Sequence, residues 1–560
     1  YIACLLSLAV VSGCDSILDK GPLDSFTNDN FWTGEGNISG YANAFYEQFL
    51  GYGNGNGYGD FYFKTLSDDQ AGMSFAKWTY PDNAPSTSAT WKNGWIEVRR
   101  ANIMLENVPT VASLDEATKN HWLGVARLMR AWQYYHLVRM YGNLPWIDKA
   151  LNINDEGEIY GNREDRDMVM DKVLEDLDFA VTNIKDIPSK TTWSRSLANA
   201  MKAEVCLYEG TFRKYRKNED GQQAPDATGA ARYLTACKEA CLAVMSKGYK
   251  LNTSYQGNYN STDLSSNPEM ILYKAYKEGL LMHSTIDYTC SSTQISGMSK
   301  NAFESYLFKD GKPMALTSLN KSDEAPFQYG HLSLKAILAV RDKRLAQTID
   351  TVLLYNGRGF TRFNTGMEST SSTGYGVAKY DNEAIPEGFR SQSGKNYTHA
   401  PLFWLSVIYL NYAEACAELG NITQDDLDKS INLLKDRAGL PHLNPIVGFS
   451  DPANNHGVSD LIWEIRRERR CELMFDNDNR YWDLIRWHQL DKLDTTKYPD
   501  IILGANVAND MDGCEANKVG KYIDGSKDGS RIYDKKHYLY PIPTGQIALN
   551  PQLAPNNPGW

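Results

Sequence analysis

The chain has 560 residues and a formal net charge of −11 at pH 7, and charged residues make up 23% of it. This acidic balance argues against nucleic acid as a partner, because proteins that bind phosphate backbones present basic surfaces. An apolar fraction of 42% is typical of a globular protein with a large core, and the length exceeds that of one ordinary domain.

The chain opens on an uncharged apolar run, residues 1–13, that stops at Cys14. A helix of this length rises only about 20 Å, which is short of a hydrocarbon core of about 30 Å. A clipped, removable signal sequence fits better. Because Val11, Ser12 and Gly13 match a bacterial lipobox, we expect a lipoprotein signal peptide and a palmitate-type lipid on Cys14, as the only membrane attachment. An ordinary signal peptide that ends near a cysteine is the alternative.

Apolar residues recur every three or four positions in several segments, which predicts amphipathic helices. In 120–142, for example, Trp122, Met129 and Trp132 follow this spacing, and Gly142 ends the helix. Further helices are predicted at 36–50, 92–108, 167–186, 194–215, 230–247, 402–420, 424–438, 458–475 and 480–488. Residues 409–441 resemble a tetratricopeptide unit of about 34 residues. We therefore predict a mostly α fold, a tetratricopeptide-like helix-pair scaffold with long irregular loops and a few short strands.

Long stretches rich in Gly, Ser, Asn and Tyr separate the helices. They divide the mature chain into the following predicted parts: a helical N-terminal half, 14–250, with a loop at 51–90, and a C-terminal half, 251–560, which is loop-rich over 251–400, helical over 401–490 and irregular over 491–560. Short strands are predicted near 270–276 and 351–363. Loops of this length are usually functional or disordered, and their aromatic residues favour a function.

No catalytic motif is evident, since HExxH, GxSxG and a Cys–His dyad are absent. A glycosidase needs only two carboxylates about 5–10 Å apart, however, which a sequence alone does not exclude. The Gly-rich stretch 51–60 lacks the spacing of a nucleotide-binding loop and is predicted to be flexible. The stretches 476–480 and 508–515 lack the spacing of a calcium loop, so we expect solvated turns. No cofactor is therefore predicted, and no motif supports a structural calcium ion.

The stretch 464–472, EIRRERRCE, concentrates four arginines on a predicted helix. Glu464 with Arg467, and Arg469 with Glu472, would form ion pairs between residues three apart, so the run largely neutralises itself. We expect a role in packing and ion pairing. An anion-binding site is the alternative.

Tyrosine and tryptophan residues on loops are the strongest binding candidates. The chain has 34 Tyr and 13 Trp, and these side chains combine a flat apolar face with a hydrogen-bonding edge. An exposed ring can stack on the apolar face of a sugar while nearby polar groups bind its hydroxyls. The candidates for ligand binding are Trp78, Tyr80, Asp69, Tyr288, Tyr306 and Tyr329. The alternative for Trp78 is that it fills a gap beneath its own loop.

Five motifs in chain order carry a resemblance to a known family. They are Asn30-Phe31-Trp32, RAW at 130–132 with YGNLP at 141–145, YLNYAEA at 409–415, ERRCEL at 468–473 leading to RYWDLIRW at 480–487, and YPIP at 540–543 with NPG at 557–559. Together they resemble the SusD/RagB family of Bacteroidetes surface lipoproteins. The chain departs from the family at 476–479, which is longer and lacks glycine, and at 402–404, where the family often carries an arginine.

The resemblance implies a glycan-binding protein that is not an enzyme. Such a protein would be anchored by lipid in the outer membrane, would face the outside of the cell, and would hand oligosaccharide or polysaccharide to a SusC-like TonB-dependent transporter. Its ligand site would be built from the loops 51–90 and 280–390. Three alternatives stay open: the same fold capturing peptides, a surface glycosidase, and a helical-repeat adaptor with protein partners only.

Overall fold

The structure is a computed structural model. It describes residues 31–72, 83–218, 221–290, 296–319, 333–353, 360–362, 367–369, 371–508, 518–526 and 529–560. The predicted signal peptide and Cys14, Trp78, Tyr80 and Tyr329 lie outside the described residues.

The α-helices of the described ranges are α1 (Glu35–Asn43), α2 (Ala89–Asn107), α3 (Glu116–Tyr141), α4 (Glu156–Ile159), α5 (Arg166–Asn183), α6 (Arg195–Tyr215), α7 (Ala227–Met245), α8 (Thr285–Cys290), α9 (Lys300–Ser305), α10 (Lys335–Leu338), α11 (Leu345–Thr348), α12 (Glu387–Arg390), α13 (Leu405–Glu418), α14 (Gln424–Asp428), α15 (Ile431–Ala438), α16 (Asp460–Glu472), α17 (Asn479–Arg486) and α18 (Thr544–Leu549). The long helices agree with the predicted ones to within a few residues.

The strands are short and pair in small antiparallel sheets. They are β1 (Gln70–Ala71), β2 (Met270–Lys274), β3 (Gly297–Met298), β4 (Phe360–Arg362), β5 (Met367–Ser369), β6 (Ala400–Trp404), β7 (Leu503–Asn506), β8 (Lys518–Val519) and β9 (Tyr522–Asp524). The pairs are β1 with β3, β2 with β6, and β4 with β5, while β9 lies between β7 and β8.

Local signals in the sequence set the ends of the central helix α3. The Asp115 carboxylate accepts a hydrogen bond of 2.7 Å from the Thr118 amide and so caps the first turn. Gly142 follows the last turn with φ of +71°, and its amide donates to the Val138 carbonyl at 2.8 Å. Glycine reaches this backbone conformation at little cost, which explains why the helix ends where the sequence predicts.

Successive long helices pack against one another, as expected for a scaffold of helix pairs. Helix α3 packs on α2 and α5, α6 packs on α5 and α7, and α13 packs on α7 and α16. The main cluster of buried apolar side chains extends from Trp32 to Leu553, so both predicted halves contribute to one core. The predicted mostly α fold is confirmed. None of the helices in the described ranges is long and apolar enough to span a bilayer.

Two predicted helices differ in the structure. The helix predicted at 402–420 begins at Leu405, because residues 402–404 belong to β6, which pairs with β2, and the Leu405 amide then donates to the Glu269 carbonyl at 3.0 Å. The helix predicted at 424–438 is divided into α14 and α15. The Ser430 hydroxyl donates to the Asp426 carbonyl at 2.5 Å, and the Ser430 backbone has φ of −136°, which ends the helical path.

The charged run on α16 is buried, and its ion pairs only partly follow the prediction. Arg467 donates to Glu464 at 3.0 Å, as predicted. The predicted pair between Arg469 and Glu472 is wrong, because Arg469 instead donates to Asp483 at 2.8 Å. A helix that is packed on all sides pairs its charges with neighbouring elements rather than along its own surface.

The turn expected to be solvated at 476–480 is buried at Asp476 and partly buried at 477–480. Asp476 accepts a bond of 2.7 Å from Lys379, and both side chains are fully buried. Burial raises the pKa of Asp476 to about 6, with Lys379 acting in the opposite direction. Within the described ranges, no three His, Cys, Asp or Glu side chains are grouped so as to hold a metal ion.

Candidate functional site

Three aromatic side chains from two separate segments meet at the protein surface. Tyr58 stacks on Phe63 with ring centroids 4.5 Å apart and an interplanar angle of 17°. Tyr288, from α8, meets both rings edge-on at 5.6 and 5.7 Å. Tyr58 is 59% exposed, and the other two side chains are partly buried. We call Tyr58, Phe63 and Tyr288 the aromatic platform. It offers a flat apolar face with hydroxyl groups at its edge.

The Gly-rich loop that carries Tyr58 is held by hydrogen bonds, in contrast to the predicted flexible loop. The Asp60 amide donates to the Gly51 carbonyl at 2.8 Å and closes the loop. The Gly55 amide donates to the Met282 carbonyl at 2.7 Å, and the Ser284 hydroxyl donates to the Gly55 carbonyl at 2.8 Å. The loop is therefore tied to the chain that leads into α8, which brings Tyr58 and Tyr288 together.

Glycine is required at the neck of this loop. A Cβ atom on Gly59 would overlap the carbonyl oxygen of Gly51 and the backbone of Tyr52. Tyr52 is completely buried, and its hydroxyl donates to the Tyr259 carbonyl at 2.6 Å. The position of Tyr58 thus depends on a close approach between two backbone strands that only glycine permits.

Polar residues lie close in the chain to the platform residues or bond to their neighbours. Asn54 accepts a bond of 3.0 Å from Lys274, and the exposed Asn56 lies two residues before Tyr58. The exposed Ser393 donates at 2.7 Å to Asp287, the neighbour of Tyr288. The exposed amide and hydroxyl groups of Asn54, Asn56 and Ser393 can donate to or accept from hydroxyl groups of a bound ligand, while the buried Asp287 holds Ser393 in place.

The described residues that flank two undescribed segments lie beside the platform. Ala71, which precedes 73–82, pairs with Gly297, which follows 291–295. The Tyr62 hydroxyl donates to the Ser296 carbonyl at 2.9 Å and accepts from the Ser296 amide at 3.0 Å. Because Tyr62 adjoins Phe63, both segments leave the described structure close to the platform.

Two of the predicted site residues are buried, which corrects their predicted role. Asp69 is 3% exposed and accepts a bond of 2.8 Å from Arg470 on α16. Tyr306 is completely buried, and its hydroxyl donates to the Cys471 carbonyl at 3.3 Å. Burial raises the pKa of Tyr306 well above its usual value. Neither side chain can contact a ligand at the surface, so both belong to the scaffold.

Asp69 and its neighbour Asp68 instead fix the loop that leads to β1. Asp68 accepts two bonds of 2.7 Å from Arg480 and is buried. Burial alone would raise the pKa of Asp68, but Arg470 and Arg480 hold it below its usual range. These charge-assisted pairs join the N-terminal loop to α16 and α17.

Of the predicted ligand-binding residues, the structure therefore brings Tyr288 to the surface site. Tyr58 and Phe63 were missed, although both fall in the predicted loop 51–90. Tyr58 lies in the stretch that the sequence predicts to be flexible. The signal in the sequence that could have identified Tyr58 is an aromatic residue surrounded by glycines.

Comparisons with known proteins were consistent with the fold. The family model described as "SusD family" matches residues 243–560. A second model, described as "Starch-binding associating with outer membrane", matches residues 27–207. The chain is 24% identical over 496 residues to a SusD-like protein, P38, of Formosa agariphila, which covers 86% of this chain and 90% of that protein.

Solved structures with a similar fold are also described as SusD-like. A SusD-like carbohydrate-binding protein from Bacteroides fragilis superposes with a TM-score of 0.68 at 20% identity, covering 94% of this chain and 100% of the other. A laminarin-binding SusD-like protein superposes with a TM-score of 0.57 at 20% identity, again covering 94% of this chain and 100% of the other.

Proposed function

The chain belongs to the SusD family, and from this premise we propose that it captures glycans at the cell surface through the aromatic platform. The observation that carries the proposal is the stacked, exposed pair Tyr58 and Phe63 with Tyr288 at its edge. Exposed rings with a polar surround suit the alternating apolar faces and hydroxyl groups of a sugar chain. Two comparisons support a glycan as the ligand. One matching family model is described as starch-binding, and one similar solved structure is a laminarin-binding protein.

The proposal extends to three predicted residues that lie outside the described ranges. Trp78, Tyr80 and Tyr329 would add further stacking surfaces. The platform holds no arrangement of residues that we assign to catalysis, so we propose capture without cleavage. The captured glycan would pass to a SusC-like TonB-dependent transporter in the outer membrane.

The test is calorimetry with the protein starting at Asp15, titrated with laminarin, starch and other plant, host and microbial oligosaccharides. We expect saturable binding to one glycan class without products. Tyr58→Ala should weaken that binding about threefold to tenfold, because an aromatic stack contributes about 0.5–1.5 kcal/mol beyond its buried area. Tyr160→Ala is the matched control, since Tyr160 is 47% exposed and lies outside the platform.

The other outcomes separate the remaining functions. Binding that Tyr58→Ala leaves unchanged would rule out the platform as the site. Saturable binding of peptides and of no glycan would favour peptide capture, and released products would identify a glycosidase.

We also propose that Cys14 carries the lipid anchor and that the protein faces the outside of the cell. Expression in a Bacteroidetes host with labelled palmitate tests this. We expect Cys14→Ala to lose the label and to leave the outer-membrane fraction, because no other attachment is predicted. Surface labelling of intact cells reports the orientation. Label retained in the variant would contradict the proposed anchor.

A further inference from the structure

A cavity of about 530 Å³ opens beside the aromatic platform. Phe63 belongs to both, and the residues that follow it, 64–66, also line the cavity. The other walls come mainly from α3, α6, β6 with the start of α13, and α17. A cavity of this size is in the range of small-molecule sites.

The cavity is a recess in the helical scaffold rather than a groove between loops. Helix α6 forms part of its wall and packs on both α13 and α17. A ligand that crosses the platform and enters this recess meets packed helices, so it must end there. The geometry therefore suits the end of a chain molecule rather than its middle.

Aromatic side chains form the apolar part of the wall. Phe63, Trp132, Phe403 and Trp482 line the cavity, and the rings of Trp132 and Phe403 meet edge-on at 5.8 Å. Phe63 and Trp482 are only partly buried. These rings continue the apolar surface of the platform into the recess.

Several polar side chains of the wall are available to a ligand. Glu204 on α6, Asn477 and Asn479 line the cavity and are partly buried. Their carboxylate and amide groups form no hydrogen bond or ion pair with any described residue. Together they offer both donors and acceptors, which is what a set of hydroxyl groups requires.

The charges of the wall balance, so the cavity favours a neutral ligand. Its carboxylates are those of Asp60, Glu204, Asp478 and Asp483, and its basic side chains are those of Lys64, Arg139, Arg469 and Arg486. Arg469 and Arg486 each donate to Asp483 at 2.8 Å. A charged ligand would leave part of this wall without compensation.

The turn that leads into α17 has backbone angles that favour glycine, yet it contains none. Phe475, Asn477 and Asp478 have φ of +67°, +48° and +58°. Glycine adopts such angles at little cost, and other residues do so rarely. The turn thus keeps side chains where glycine would be easier, and those of Asn477 and Asp478 line the cavity. Backbone outliers of this kind are concentrated at functional sites.

We propose that the cavity binds the terminal sugar of a neutral glycan, with Glu204, Asn477 and Asn479 hydrogen-bonding its hydroxyl groups and the following sugars stacked on the platform. This inference rests on the proposed function and deepens it. It names the ligand as an uncharged sugar chain that is recognised at one free end.

Calorimetry with the protein starting at Asp15 tests the proposal with four neutral hexasaccharides: maltohexaose, laminarihexaose, cellohexaose and mannohexaose. Two modified forms of the hexasaccharide that binds are then compared with it. One has its reducing end reduced to an alditol, and the other has an acetal closed on its non-reducing terminal sugar. We expect one of these modifications to weaken binding at least tenfold and the other to change it less than threefold, because the cavity accepts one end of the chain.

Glu204→Leu should weaken binding of the hexasaccharide at least tenfold, since a carboxylate is a stronger hydrogen-bond acceptor than a neutral group. Glu175→Leu is the matched control, because Glu175 is exposed on α5 outside the cavity. Thr90 is exposed at the cavity wall, so Thr90→Trp should obstruct the cavity and weaken binding to the same degree without a change of charge.

Asn477→Gly separates a role in binding from a role in folding. Glycine adopts φ of +48° without strain, so the midpoint of urea unfolding should stay close to that of wild type. Binding of the hexasaccharide should weaken at least threefold, because the amide group is lost. Wild-type binding in this variant would overturn the role of the turn.

The outcomes also separate the cavity from the platform. Hexasaccharide binding that depends on Tyr58 but is unchanged by Glu204→Leu would overturn the cavity proposal and leave the platform standing. Binding that neither end modification weakens, or binding of charged oligosaccharides only, would do the same. Absence of binding of every glycan would overturn both proposals.

Discussion

Replacing Glu414 with glutamine is expected to lower the free energy of unfolding by about 3–5 kcal/mol, the usual cost of breaking a buried ion pair. Glu414 on α13 accepts two bonds from Arg486 on α17, at 2.6 and 2.8 Å, and one from the Trp487 indole at 2.7 Å. Both charged side chains are almost completely buried. The variant keeps the shape of the side chain but leaves the Arg486 charge without its full partner. Urea unfolding followed by circular dichroism measures the loss.

The pair of Glu414 and Arg486 also predicts that the free energy of unfolding depends on pH. The Glu414→Gln variant should lack this contribution. Burial alone would raise the pKa of Glu414, but Arg486 lowers it to about 2, below its ordinary value of 4.5. Because the folded state holds the proton less tightly than the unfolded state, the stabilisation is complete above about pH 4.5 and is lost as the pH falls towards 2. The difference in stability between wild type and Glu414→Gln should therefore narrow over this range.

An exposed ion pair is the control for this prediction. Glu175 bonds Lys172 at 3.1 Å, and its side chain is 64% exposed. Glu175→Gln should change the free energy of unfolding by less than about 1 kcal/mol. If Glu414→Gln cost no more than Glu175→Gln, the buried network would not be a main determinant of stability.

Replacing Gly59 with alanine is expected to remove the platform. The added Cβ atom would overlap backbone atoms of Gly51 and Tyr52, so the loop neck must open and displace Tyr58. We expect the glycan affinity to fall at least tenfold, since the whole loop shifts and not one ring alone. Overpacking beside the buried Tyr52 should also cost about 1–3 kcal/mol of stability. Calorimetry with the glycan identified for wild type, together with urea unfolding, measures both effects.

Gly55→Asn is the matched control in the same loop. Gly55 has φ of +56°, but a Cβ atom added there would meet no other atom within 4 Å, and asparagine tolerates this backbone conformation. The control should bind glycan within about threefold of wild type. Wild-type binding and stability in Gly59→Ala would show that the neck of the loop can open without moving Tyr58.

The scaffold was predictable because its signals are local. Helix α3 shows regular apolar spacing, a capping aspartate and a terminal glycine, and the structure has a helix there. Local signals do not predict the structure of a segment whose conformation depends on a partner far away in the chain. Residues 400–404 are apolar enough for a helix, but pairing with β2 makes them a strand. Arg469 likewise has a good local partner in Glu472 but pairs with Asp483.

The aromatic platform was only partly predictable for the same reason. Tyr288 was identified from its place in an aromatic loop region, and so was Tyr306, which proved to be buried. Composition cannot distinguish a tyrosine that faces solvent from one that faces the core. Tyr58 and Phe63 become neighbours of Tyr288 through hydrogen bonds between residues more than 200 positions apart.

The pairs that join Asp68 to Arg480 and Asp69 to Arg470 also bear on how the chain folds. Each links residues about 400 positions apart, and Arg163 bonds Asn557 over a separation of 394. Contacts this distant form only after long loops have closed, and the entropy of that closure opposes early assembly. We therefore expect slow refolding in which the N-terminal loop gains its native order only after α16 and α17 are in place. The aromatic platform, whose loop precedes Asp68, would then be among the last parts of the protein to reach its native arrangement.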